Sequence, residues 1–142
     1  MVPLDTTEPL TLPQCIALVD DEVQITQALQ MLLSFKNIPT SVHHSAESLL
    51  QILQPRNGQL CLQLADGTLA ELHSVVLDLN LPGMNGIDLV LELRRLKPQL
   101  HMVMITAAIE DTLQARGIDL QGVTLLSKPF SLDSLEAALF VN

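Results

Sequence analysis

A small set of side chains in this sequence has the types and the placement to act together. Asp20 and Asp21 follow the apolar run Cys15–Val19, Asp78 lies in SVVLDL, Thr106 follows MVMI, and Lys128 follows VTLL in the segment LLSKPF. If each run is a strand of one open parallel sheet, these residues gather at its carboxyl edge, where such sheets bind ligands. Carboxylates brought close together repel, and they stay ionised when a cation sits among them. An oxygen-only donor set suits Mg²⁺, which keeps several waters and takes phosphate oxygens as further ligands. A carboxylate is also a covalent nucleophile for phosphoryl groups. Lys128 and the Thr106 hydroxyl would meet two oxygens of a transferred group and Mg²⁺ a third, and phosphoryl transfer depends mainly on such positioning and neutralisation.

Each residue alone has a plainer reading. Asp20-Asp21 could simply favour the first turn of a helix, and Thr is common in strands. Asp78 is harder to dismiss, because a lone charge in so apolar a run is costly. The argument rests on all of them falling at matched strand ends.

The elements that must hold these residues alternate along the chain. After the strand Cys15–Val19, the stretch Val23–Phe35 carries Ile25, Ala28, Leu29, Leu32 and Leu33 at helical spacing. Thr40–His44 is a second strand, and Ser45 is placed to cap a helix with Leu49, Leu50 and Leu53 on one face. Ser74–Leu79 is a third strand, and Gly86–Lys97 a helix turning Ile87, Val90, Leu93 and Leu96 inward. Met102–Ile105 is a fourth strand and Glu110–Gly117 a weaker helix. Val123–Leu126 is a fifth strand, and Ser131 caps a final helix bearing Leu132, Leu135 and Leu139. Strands that are apolar throughout imply burial on both faces, hence a doubly wound α/β domain with a parallel sheet between helix layers.

Residues 1–14 contain three prolines and read as a flexible leader, with one domain over 15–142. Residues of about 57–73 exceed a simple loop. Leu60, Leu62 and Leu64 alternate before Asp66-Gly67, which predicts a β-hairpin with a two-residue turn, at the margin of the main sheet or apart from it. That register would put Leu60, Leu62, Leu64 and Leu69 on one face, to be covered by the domain itself or by a partner.

Composition narrows the partners. Lys+Arg 7 against Asp+Glu 16 gives net charge −9, which excludes the basic footprint of a nucleic-acid binder and an anionic membrane surface as target. Phe35, Phe130 and Phe140 are the only aromatics, so the core is aliphatic. Cys15 and Cys61 form no CxxC pair and read as small buried residues. His43, His44, His73 and His101 have no metal-ligand spacing. The start MVPLDTTEPL lacks a basic region and no apolar run could span a bilayer, so a cytoplasmic location is expected.

The segments LVDDE, VVLDLNLPGMNG, MVMITA and LLSKPF, in this order, resemble the signature blocks of response-regulator receiver domains, and the resemblance extends over Cys15–Phe140. It implies a flavodoxin-like sheet of order 2-1-3-4-5. It implies Asp78 as phosphoacceptor, Asp21 as direct Mg²⁺ ligand, Asp20 as its helper, the Asn80 backbone carbonyl completing the metal site, and Thr106 and Lys128 contacting the phosphoryl group. A cis Lys128–Pro129 bond is expected on the same ground. The implied partners are a histidine kinase or phosphotransfer protein upstream and an output domain or protein downstream. A homodimer through the face of the fourth helix, fifth strand and fifth helix is compatible with it. The chain would catalyse its own phosphorylation and slow dephosphorylation without being an enzyme in the usual sense. The alternative is a pseudo-receiver acting as a phosphorylation-independent interaction module, against which the complete residue set speaks. A phosphohydrolase is disfavoured, since Asn80 stands where a second acid is needed. Two departures concern signalling: Leu125 replaces the family's frequent aromatic, and the 57–73 insert has no counterpart in a minimal receiver. Leu125 is therefore expected to pack against the fourth helix in both states.

Overall fold

The computed structural model describes residues 11–106 and 122–140. The elements run β1 (Gln14–Val19), α1 (Val23–Phe35), β2 (Thr40–His43), α2 (Ala46–Ile52), β3 (Gln54–Arg56), β4 (Gln59–Gln63), β5 (Leu69–Asp78), α3 (Gly86–Leu96), β6 (His101–Thr106), β7 (Val123–Ser127) and α4 (Leu132–Phe140). The expected helix at Glu110–Gly117 lies outside the described residues.

Five strands make the parallel sheet β2-β1-β5-β6-β7, the order 2-1-3-4-5 once the insert strands are set aside. Because side chains alternate across a strand, each strand feeds two cores. Ala17, Val19, Val75, Leu77, Met102 and Met104 face one layer with Leu49 of α2 and Leu93 of α3. Ile16, Leu18, Val76, Val103 and Ile105 face the other with Leu29 and Leu33 of α1 and Leu135 and Leu139 of α4. The expected α1 stripe is partly realised: Leu29 and Leu33 are buried, Thr26 joins them, and Ala28 is exposed. Ser45 and Ser131 cap as expected, their hydroxyls accepting the N–H of Ser48 and of Ser134, each at 3.1 Å.

The insert differs in detail from the expectation. β4 and β5 form the hairpin, but its connection is five residues, 64–68, and not a two-residue turn. Gly67 N–H bonds the Leu64 carbonyl at 2.9 Å, Thr68 N–H bonds Asp66 Oδ1 at 2.9 Å, and only Gly67 takes a positive φ, 89°. The longer loop resets the register. Leu62 lies opposite Ala70 and Gln63 opposite Leu69, so the apolar face is Leu60, Leu62, Ala70 and Leu72, with Leu69 on the other side. The domain covers this face itself. A second, unforeseen hairpin joins β3 to β4 through Asn57-Gly58, with φ of 52° and 78°, the positive pair that a two-residue hairpin turn favours.

The second arm of the insert and the third strand are one element. Leu69–Glu71 of β5 pair antiparallel with β4, and Ser74–Asp78 pair parallel with β6. The register against β1 shifts between Cys15–Leu72 and Ile16–Ser74, leaving His73 as an extra residue where the edge partner changes. β1 also starts at Gln14, inside the stretch read as leader, and the Pro13 carbonyl already accepts Glu71 N–H at 2.8 Å.

Candidate functional site

The parallel register brings the strand ends level. Asp78 pairs with Ile105, and Thr106 with Ser127. Asp20 is the first residue after β1, its N–H bonded to the His43 carbonyl at 3.1 Å, while His44 Nδ1 lies 3.0 Å from the Asp20 carbonyl. The β2 end thus holds the Asp20 peptide from both sides.

Asp20, Asp78 and Thr106 are buried. Lys128 Nζ reaches in among the acids, 2.9 Å from Asp78 Oδ2, 3.2 Å from Glu22 Oε1 and 3.8 Å from Asp20 Oδ2. Lys128 N–H also bonds the Thr106 carbonyl at 3.0 Å, and the Lys128–Pro129 bond is cis, as expected. The remaining carboxylate oxygens are held by backbone: Asp78 Oδ1 accepts Asn80 N–H at 3.0 Å, and Asp20 Oδ1 accepts Glu22 N–H at 2.9 Å.

The loop after Asp78 is set by two glycines and a glutamate. A side chain at Gly86 would place its Cβ 2.4 Å from the Asp78 carbonyl oxygen and 2.7 Å from Leu79 Cα. Gly83 takes a φ of 70°, and Glu47 of α2 accepts the neighbouring Met84 N–H at 3.2 Å. Asn85 caps α3 by accepting Asp88 N–H at 2.9 Å.

Electrostatics follow from burial. Burial pushes the Asp20 carboxyl above its ordinary range; the Glu22 N–H opposes this, and the Asp78 charge adds to it. For Lys128, burial acts downward, but its bonds to Asp78 and Glu22 and the charge of Asp20 prevail and hold it above its usual value. Asp20, Glu22 and Asp78 each present an oxygen within 4.8 Å of the others, so three carboxylates share one ammonium. That excess of hard oxygen donors fits a divalent cation such as Mg²⁺.

The site gathers Asp20, Asp78, Thr106 and Lys128. Asp21 is exposed and stands outside the three-acid group, and Glu22 occupies the third place. Glu22 follows the paired aspartates directly, and its 3.2 Å contact with Lys128, 106 positions away, joins it to the far side of the site.

A family model described as the response regulator receiver domain matches residues 16–140. The chain belongs to that family. Receiver domains of two-component response regulators serve phosphorylation signalling. This receiver domain is 31% identical over 124 residues to the transcriptional regulatory protein TcrA of Mycobacterium tuberculosis, covering 87% of this chain and 44% of TcrA. It spans less than half the length of the curated relatives it matches first. Its fold is shared with the non-phosphorylated HemR receiver domain from Leptospira biflexa, at TM-score 0.70, 23% identity, and coverage of 92% of this chain and 96% of that one. It is shared too with a response regulator protein from Burkholderia pseudomallei, solved with a phosphorylated aspartic acid, calcium ion and citrate, at TM-score 0.65, 20% identity, and coverage of 92% and 68%. Among the described residues of the receiver domain, no helix is long and apolar enough to cross a membrane.

Proposed function

We infer that Asp78 accepts a phosphoryl group from the phosphohistidine of a sensor kinase or phosphotransfer protein. The observation that carries this reading is the contact of Lys128 Nζ with Asp78 Oδ2 at 2.9 Å beside buried Asp20 and Thr106. An Asp78 oxygen attacks phosphorus, and the bond from phosphorus to the imidazole nitrogen breaks with its electron pair going to that nitrogen. In this reading Lys128 neutralises one phosphoryl oxygen, and the Thr106 hydroxyl donates to another. Asp20, Asp21, Asp78 and the Asn80 backbone carbonyl would hold Mg²⁺, which supplies charge neutralisation for the transferred group. The aspartyl phosphate of the Burkholderia neighbour supports the same chemistry here by likeness of fold.

The chain then promotes its own phosphorylation and slow dephosphorylation, and it signals to an output domain or protein from a cytoplasmic location. The Leu125 side of β7 and α4 belong to the face proposed for output or homodimer contact; the rest of that face, including residues 110–117, lies outside the described residues. Leu125 is 36% exposed, and the helix it is expected to pack against lies outside the described residues.

Incubation with a small phosphodonor and Mg²⁺, borohydride trapping and peptide mapping test the assignment. One acid-stable, base-labile phosphate at Asp78 is expected. Labelling that persists in Asp78→Asn contradicts it, and no labelling of the wild-type chain would favour the pseudo-receiver reading.

A further inference from the structure

Glu22 is the N-cap of α1, with φ −86° and ψ 106°, but its side chain makes no cap hydrogen bond. Its backbone carbonyl does the local work, accepting the N–H of Ile25 at 3.1 Å and of Thr26 at 3.2 Å. The carboxylate turns away from its own helix and reaches Lys128, with Oε1 3.2 Å from Nζ. Its side chain is 59% exposed, and an exposed ion pair adds little to stability, so folding gives a weak reason for this placement.

We propose that Glu22 is the outer acid of the cation site and makes phosphoryl acceptance at Asp78 depend steeply on a bound divalent cation. This rests on the reading of Asp78 as phosphoacceptor. Lys128 is the ammonium that the transferred group needs, and its Nζ is divided among Asp20, Glu22 and Asp78. An anionic phosphodonor then approaches three carboxylates balanced by one positive charge, and the net repulsion keeps it out. Glu22 is the solvent-exposed member of the three-acid group, Asp20 and Asp78 being buried, so its carboxylate is open to a divalent cation arriving from solvent. With its charge satisfied by the cation, Glu22 no longer competes for Lys128. Glu22 is thus a binding and positioning residue, distinct from the nucleophile.

The test is a calorimetric titration of the full chain with Mg²⁺, without phosphodonor, on wild type, Glu22→Gln and Glu22→Asp. Glu22→Gln should weaken Mg²⁺ about tenfold, the lower end for groups supporting a metal's ligands because this one faces solvent. Glu22→Asp keeps the charge and should recover part of that loss. The Mg²⁺ concentration for half-maximal labelling by acetyl phosphate should rise by the same factor. The thermal unfolding of the cation-free protein should hardly change, since the side chain caps nothing. Equal Mg²⁺ affinity in wild type and Glu22→Gln overturns the role of Glu22 while leaving labelling at Asp78 intact. Weaker Mg²⁺ binding in Glu22→Gln without any labelling of Asp78 supports the cation role and overturns the phosphoacceptor reading instead. A wild-type chain that binds no Mg²⁺ overturns both.

Discussion

Lys128 Nζ and Asp78 Oδ2 meet at 2.9 Å across the top of β6, joining the ends of two strands that do not pair with each other. The contact neutralises a buried carboxylate that would otherwise stand beside a second one, Asp20.

Removing that ammonium should expose the repulsion. Lys128→Met is expected to lower the stability of the cation-free protein at neutral pH by about 1–3 kcal/mol, the range for leaving buried polar partners unsatisfied. Mg²⁺ should restore part of the loss, while labelling at Asp78 drops. Urea unfolding with and without Mg²⁺ reads both effects. Midpoints that match wild type in both conditions would show that Lys128 does not offset the acids.

His43 sets an acid limit on folding. It is buried at the end of β2, with Ser41 Oγ 2.6 Å from Nε2 and Ser48 Oγ 3.3 Å from Nδ1. Burial, assisted by the nearby His44, lowers its pKa from 6.5 to about 4. The folded value lies below the unfolded one, so the unfolded chain binds the proton first. The contribution to stability is complete above 6.5 and is lost as pH falls through about 4. Its full size is about 3 kcal/mol. Stability measured across this window should fall less steeply in His43→Asn than in wild type, and equal slopes would remove His43 as the cause.

Gly86→Ala is expected to cost about 2–4 kcal/mol, because its Cβ meets backbone rather than a yielding side chain. The nearest atom is the Asp78 carbonyl oxygen, so Asp78 must shift with it. Slower labelling together with a lower unfolding midpoint is the expected pair of results. Loss of neither would mean that the loop yields freely.

The insert should behave as core. Leu62 is fully buried against the layer that includes Leu93 and Leu72. Leu62→Ala is expected to cost about 2–5 kcal/mol, as for a leucine of the central strands. A loss below about 1 kcal/mol by urea unfolding would mark the insert as separable from the domain.

What could be read from residues alone follows from how burial is encoded. The runs CIALV, SVVLDL and MVMI are apolar throughout because helices cover both faces of their strands, and that pattern places Asp20, Asp78 and Thr106 at strand ends. The length of β5 was hidden for a physical reason. His73 is polar and exposed, so it reads as a boundary, whereas it is the bulged residue that lets one strand change partner on its edge. Asn57-Gly58 carried the turn signal, but Gln54-Pro55-Arg56 before it shows no apolar alternation, because this short strand pairs only with β4. That Glu22 joins Asp20 and Asp78 depends on side-chain direction at the start of α1, which no spacing rule reports.

Cys15 and Cys61 are the only cysteines of the chain, and both are free and buried. Burial raises both thiols, that of Cys15 to about 12, so neither offers much thiolate to a reagent at neutral pH. The native chain is therefore a quiet background for thiol chemistry. A single cysteine introduced at exposed Ala65, in the β4–β5 connection, would be the group that a maleimide dye finds. The ten residues of β5 separate that loop from Asp78 by roughly 30 Å along the strand, far enough for a fluorophore to leave the acidic edge untouched.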